Sequence, residues 1–155
     1  MSGDFAAHPI DYWAIREAIR RAIRTYPELG QIEVHLEPSG DVPPERCPCV
    51  LLFMTGRSTP DELQRISAGK RTDHRLVFSA WVIDYSLDTL EAATRRRDAV
   101  LTKVELALMV DRTLGGLVRG LYLEGGLVEF GKDPKSPLFA TAIETLITCD
   151  VYASL

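Results

Sequence analysis

Three cysteines, three histidines and a scatter of acids and arginines are the side chains able to do chemistry, and their spacing limits what they can do. Cys47 and Cys49 flank Pro48, a C-x-C pair that lacks the two-residue spacing of a redox motif or zinc knuckle. A metal centre would need Cys47, Cys49, His35 and Cys149 to converge, without the paired spacing that announces one. The three cysteines are therefore read as free thiols, small hydrophobes in a reducing compartment, and their odd count argues against a disulfide framework. His8 falls in an N-terminal arm, His35 at an outward strand position and His74 at a strand start. None stands within an expected helix, where a carboxylate or histidine three or four residues away would share its face. Asp61-Glu62 is a carboxylate pair in a polar segment with no reason for a shifted pKa. The preference of helix starts for acids accounts for it.

Phosphate and nucleophile signatures are absent. There is no G-x-x-x-x-G-K-[ST], no G-x-G-x-x-G after a strand and no G-x-S-x-G. Gly116-x-x-x-Gly120 encloses Arg119, so it is not the apolar membrane-dimer pattern. Gly115-Gly116 follows a helix rather than opening one, so it reads as a helix stop and not as a phosphate cradle. Arg16, Arg20 and Arg24 form a stripe, and Arg95-Arg96-Arg97 interrupts a second helix. Glu17, Glu28, Glu91 and Asp98 lie close by and no aromatics are interleaved. The arginines therefore read as a solvated or subunit-contacting face rather than a nucleic-acid site.

The elements that would position these groups follow from periodicity. Residues 1–9 read as a loose arm. Asp11 caps a helix whose Ile15, Ile19, Ala22, Ile23 and Tyr26 form one stripe, ended by Pro27. Ile32, Val34 and Leu36 alternate with polar residues as a half-buried strand. A proline-rich loop, 38–48, leads to an apolar strand over 50–54. Residues 55–73 are polar and charged, and read as a long mobile loop. His74–Tyr85 is a long third strand with Leu76, Phe78, Ala80 and Val82 on one face and Val77, Trp81, Ile83 and Tyr85 on the other. Two helices can cover only one of these apolar faces, which predicts that the other meets a neighbouring subunit. Ser86 and Asp88 open a second helix, with Asp88 and Glu91 as a capping box, running to about Val110. Its stripe of Leu90, Ala93, Leu101, Val104 and Leu108 is broken by Arg97 alone. Leu117–Leu123 reads as a fourth strand, Gly125-Gly126 as a hairpin turn into a short fifth strand over 127–130, and 139–151 as a long last strand.

With 155 residues, 46% hydrophobic and 26% charged, the chain reads as one globular domain, 1–155. A net charge of -4 excludes a whole-domain basic footprint for nucleic acid. Neither a signal peptide nor a membrane-length apolar run is present, so the expectation is a soluble protein made in the cytoplasm. The fold class expected is α+β: a mostly antiparallel sheet with two main helices on one face.

This layout resembles the tail terminator, or tail completion, proteins of long-tailed bacteriophages. The resemblance rests on the helix Asp11–Tyr26, the charged strand and proline-rich loop closing at Pro48, the apolar strand, the polar loop, and the long strand and helix. It rests above all on the exit Asp111-Arg112-Thr113-Leu114-Gly115-Gly116-Leu117-Val118, followed by a long C-terminal strand. It covers nearly the whole chain and implies a tail-tube-like fold and a structural virion protein, not an enzyme. The implied assembly is a homohexameric ring at the head-proximal end of the tail, formed in the host cytoplasm. The ring would cap the tube, stop its polymerisation and join the head connector while DNA passes through unbound. The expected subunit-interface residues are Arg57, Asp61, Glu62, Arg65, Lys70, Arg71, Val77, Trp81, Ile83 and Tyr85. No cofactor, no metal and no membrane partner are expected. The alternatives are another neck or tube-like ring component, or a small cytoplasmic α+β enzyme with a non-standard site.

Overall fold

Asp11 sets where the fold begins. Its carboxylate accepts from the Ala14 N–H at 2.9 Å and starts helix α1 (Tyr12–Thr25). The helix buries Ile15, Ala18, Ile19 and Ile23, and Tyr26 leaves it in an extended conformation ahead of Pro27. Strand β1 (Glu33–Leu36), a 3-10 turn (Pro44–Arg46), β2 (Cys49–Ser58) and β3 (Arg71–Ser86) follow. Helix α2 (Leu90–Val110), β4 (Gly120–Lys132) and β5 (Phe139–Ser154) complete the chain. The computed structural model describes residues 9–58, 71–132, 134 and 136–154.

The five strands form one sheet in the order β1-β2-β3-β5-β4. Only the β1–β2 pair is parallel, so the sheet is mostly antiparallel. Both helices lie on one face, giving the α+β architecture expected. Register fixes that face: Val50 lies opposite Val82, Leu52 opposite Ala80, Phe78 opposite Ile147, and Leu76 opposite Cys149, which in turn faces Leu121. All of these are buried against the helix stripes, with Phe78 the largest side chain wholly removed from solvent. Where β1 ends, Glu37 takes over. Its carboxylate accepts from the Met54 N–H at 2.7 Å and from Arg16 Nε at 3.2 Å, tying α1 to the sheet.

Several sequence expectations are corrected. The apolar second strand does not stop at Met54. It runs to Ser58 past a bulge at Thr55, which the pairing with β3 skips, and β3 begins at Arg71, so residues 55–58 and 71–73 are strand rather than loop. The cap of α2 is Thr89, whose hydroxyl accepts from Ala92 N at 3.0 Å; Asp88 and Glu91 form no capping box. The Ser86 hydroxyl instead accepts from the Asp88 and Thr89 amides, closing the turn into the helix. Gly125-Gly126 is not a hairpin turn. β4 passes through it as one strand with a bulge, because β5 pairs with β4 on both sides of the two glycines.

The arginine triplet is not one polar face. Arg97 is buried, donating to Thr141 Oγ1 at 2.6 Å and pairing with Asp98 at 2.8 Å. Arg96 reaches across to the buried Asp84 carboxylate at 2.7 Å and to the Tyr85 carbonyl at 2.6 Å. Arg95 lies on the surface beside Glu91, and only Arg97 of the three is buried. The break that Arg97 makes in the apolar stripe is thus a core residue with its polar end satisfied.

Candidate subunit interface

The face of the sheet turned away from the helices is built by strand alternation alone. Side-by-side rows run across it: Leu51–Trp81–Glu144, then Phe53–Ser79–Leu146, then Cys49–Ile83–Ala142. Val77 lies opposite Thr148, and Tyr85 opposite Ala140. Leu51, Phe53, Val77, Trp81, Ile83, Tyr85 and Leu146 are all only half-buried, since no described helix lies over them. The four outer-face residues named from the sequence are therefore brought together on one surface. Leu51, Phe53 and Leu146 join them; the sequence reading placed Leu51 and Phe53 in a wholly apolar strand without resolving its faces.

In the middle of this apolar strip sits one carboxylate. Glu144 accepts from the Ser79 hydroxyl and, through its other oxygen, from the Leu127 N–H at 3.1 Å. Leu127 is the unpaired amide of the β4 bulge, so the bulge exists partly to meet this side chain. Gly126 makes room for it: a Cβ there would fall 2.7 Å from Glu144 Cγ and 2.8 Å from its Cβ. Ion pairs within the chain border the strip. Arg75 pairs with Asp150 at 3.0 Å at one end. At the other, Arg46 pairs with Glu33 at 2.5 Å, and its guanidinium holds the Glu33 carboxyl below its usual range.

A second, dissimilar apolar surface lies at the sheet edge. β4 is the outer strand of the sheet, with no partner on its far side among the described residues. Leu127, Val128 and Phe130 are 62%, 52% and 71% exposed. Register turns Val128 and Phe130 to the helix side, but α2 covers the sheet nearer β3 and β5. Between α2 and β4 runs a trough of about 500 Å³ lined by Leu106, Met109, Tyr122 and Leu123 with Thr102, Glu105 and Arg112. The sequence reading missed this surface because it took 117–123 and 127–130 as two hairpin strands.

The remaining expected interface residues fall elsewhere. Arg57 sits in β2 on the helix side, donating to the Tyr12 hydroxyl at 3.1 Å with its guanidinium over the Tyr12 ring. Arg71 opens β3 opposite Ser154. Asp61, Glu62, Arg65 and Lys70, and the mobility expected of their segment, lie outside the described residues.

The helix exit is organised by Asp111. Its carboxylate accepts from the Thr113 hydroxyl at 2.6 Å, the Thr113 N–H at 3.0 Å and the Gly115 N–H at 2.8 Å, which together hold its pKa below the usual carboxylate range. Leu114, Gly115 and Gly116 then take left-handed φ values of 51°, 72° and 89°, and two of the three are the residues that adopt that region freely. A cleft of about 450 Å³ lies between the C-terminal ends of the two helices, lined by Ala18, Ala22, Tyr26, Ala107, Val110 and Leu114. Its charged members are Arg21 and Asp111, and Asp111 is already committed to the turn. Among the described residues no three His, Cys, Asp or Glu side chains are grouped to hold a metal. Cys149 lies on the helix side of the sheet and Cys49 on the other, so the four-residue convergence considered from sequence does not form.

No protein-family model and no curated protein matches this chain. Among solved structures, it is similar to the sheath/tube terminator of PVC, an extracellular contractile injection system, in its extended state. The identity is 16% and the TM-score 0.47, over 96% of this chain. This chain spans 58% of that terminator's length. It is also similar to a chain from the virion of a native gene transfer agent particle. There the identity is 11% and the TM-score 0.36, over 88% of this chain and 94% of the other.

Proposed function

We propose that this chain is a tail terminator: a structural protein that forms a head-to-tail ring on the tail tube, stops its growth and offers the surface to which the head connector joins. One observation carries the reading. The chain has two different uncovered apolar surfaces, the outer sheet face around Trp81 and the β4 edge around Phe130. A ring closed by rotation needs such a pair, because each subunit contributes two unlike patches to a heterologous contact. A self-complementary dimer would need only one. The β4 edge also presents unpaired backbone groups, which a neighbouring copy satisfies. The resemblance of the element order and of the helix exit to terminators supports the same assembly, with the hexamer, tube and connector as its implied partners. Asp61, Glu62, Arg65 and Lys70 are proposed as contacts with the tube or the adjacent subunit, setting register through charge pairing. The net charge of -4 suits a channel that DNA crosses without sticking.

The test is mass by light scattering, alone and with purified tail tubes, read with negative-stain images. The wild-type chain is expected to form rings, free or on tube ends. Phe130→Asp places a charge on an already exposed side chain, so it should fold normally and lose the ring. Trp81→Asp should lose it too. A Phe130→Asp protein that still caps tubes as rings of normal mass overturns the reading. A second ring role, as a neck or tube-like component, is separated by tail length: loss of a terminator leaves overlong tails, and loss of a neck protein does not.

A further inference from the structure

We propose that Cys47 and Cys49 form a dithiol site that closes to an internal disulfide by exchange with a small-molecule disulfide such as oxidised glutathione. The two sulfurs lie 3.5 Å apart, with Cys47 half-buried and Cys49 fully buried at the start of β2. Reaching the bonded S–S separation asks each pair of Cβ–Sγ arms to close by only about 1.5 Å. The third cysteine, Cys149, is on the opposite face of the sheet and fully buried, and burial pushes its thiol up to about 12. It therefore stays protonated and serves as an internal control.

The two thiols are hydrogen-bonded to each other. The Cys47 S–H donated to its neighbour holds the Cys49 thiol below its usual range, and the Arg46 guanidinium adds to this. The same hydrogen bond, with burial behind it, pushes Cys47 up. Cys49 therefore ionises before Cys47. Cys49 is wholly removed from solvent and Cys47 only half-buried, so Cys47 is the residue a solute meets first. As Cys47 Sγ attacks one sulfur of the small disulfide, its proton passes to the Cys49 thiolate 3.5 Å away and on to the departing small thiolate, leaving a mixed disulfide on Cys47 and Cys49 again ionised. The Cys49 thiolate then attacks Cys47 Sγ and expels the second small thiolate. Two protein thiols and one small disulfide become one protein disulfide and two small thiols, with the two protons carried away by the leaving groups. The new bond joins the 3-10 turn Pro44–Arg46 to the first residue of β2, beside the outer sheet face.

Intact mass after incubation of the folded protein with oxidised glutathione tests this, with free thiols alkylated before analysis. The wild-type chain should lose two hydrogens, carry one alkyl group, at Cys149 after unfolding, and retain no glutathione. Cys49→Ser should stop at one glutathione on Cys47, because no resolving thiol is present. Cys47→Ser should remain unmodified at Cys49. Phenylarsine oxide, which bridges paired thiols, should bind the reduced wild-type chain once and neither serine variant. A wild-type chain that stays fully reduced, that accumulates the mixed disulfide, or that links Cys149 overturns the proposal. So does glutathione on Cys49 of Cys47→Ser. Circular dichroism of both variants establishes that they are folded when tested.

Discussion

Replacing Gly126 by alanine probes the junction between the two apolar surfaces. The added Cβ would fall 2.7 Å from Glu144 Cγ and 2.8 Å from Glu144 Cβ, with Glu144 Oε1 closer still. The three nearest atoms all belong to one side chain: rotation of Glu144 removes the Oε1 and Cγ clashes, while the contact with its Cβ must be taken up by the backbone of the bulge. That movement abandons two hydrogen bonds to a carboxylate, from the Ser79 hydroxyl and the Leu127 N–H. The Leu127 amide is exposed and recovers water, but Ser79 is 1% exposed and its hydroxyl is left stranded. A hydrogen bond to a charged group contributes about 1.5–3 kcal/mol, and a stranded buried hydroxyl costs about as much again at the low end of its range. Gly126→Ala should therefore destabilise by about 2–4 kcal/mol, well above the few tenths expected of an exposed strand substitution. Urea unfolding of Gly126→Ala, Glu144→Ala and the double variant measures it. With Glu144 shortened to alanine the Oε1 and Cγ clashes are gone and only the 2.8 Å contact with its Cβ remains, so the cost of the added methyl should fall by about 1.5–3 kcal/mol, which is the coupling. If Gly126→Ala costs the same in both backgrounds, Glu144 is not what the glycine accommodates and the account of the bulge is wrong.

Four further outcomes are expected. Arg97→Met should leave stability within about 1 kcal/mol of wild type, since an apolar side chain of similar length replaces a buried charge and Thr141 keeps its bond to the Glu129 carbonyl. Arg97→Ala should cost about 2 kcal/mol or more by the cavity it leaves, and equal effects of the two variants in urea would contradict this. Arg96→Ala should cost about 1–3 kcal/mol, because the buried Asp84 carboxylate would keep only the Tyr85 N–H; the exposure of Arg96 itself tempers the loss. Asp111 has its folded pKa depressed, first by the Thr113 hydroxyl and then by two backbone amides. Its contribution is therefore present above the ordinary carboxylate range and lost as pH falls through the depressed value. Asp111→Asn should flatten the acid limb of stability against pH, and an unchanged limb would remove Asp111 from the explanation.

Local chemistry made much of the fold legible. Asp11 as cap, the Ile15–Ile19–Ile23 stripe and Pro27 each act within a turn or two of chain, so α1 can be read residue by residue. Strand alternation likewise separated Leu76, Phe78, Ala80 and Val82 from Val77, Trp81, Ile83 and Tyr85. That both sets are apolar was visible; which set the helices cover was not, because the choice depends on where α2 packs after β3. The misreadings share this cause. Gly125-Gly126 carries the composition of a tight turn, and only the Glu144 side chain, 17 or more residues on in sequence, turns it into a bulge. Arg97 looked like a break in a stripe until Thr141, 44 residues away, supplied a buried partner. Thr89 displaced Asp88 as cap because Ser86 had already taken the turn amides. The sequence by itself determined periodicity, caps and the absence of familiar catalytic motifs, since these are properties of neighbours along the chain. Tertiary structure alone decided which apolar faces remain uncovered and which polar groups are buried with partners, because burial belongs to pairs of elements and no single segment contains it.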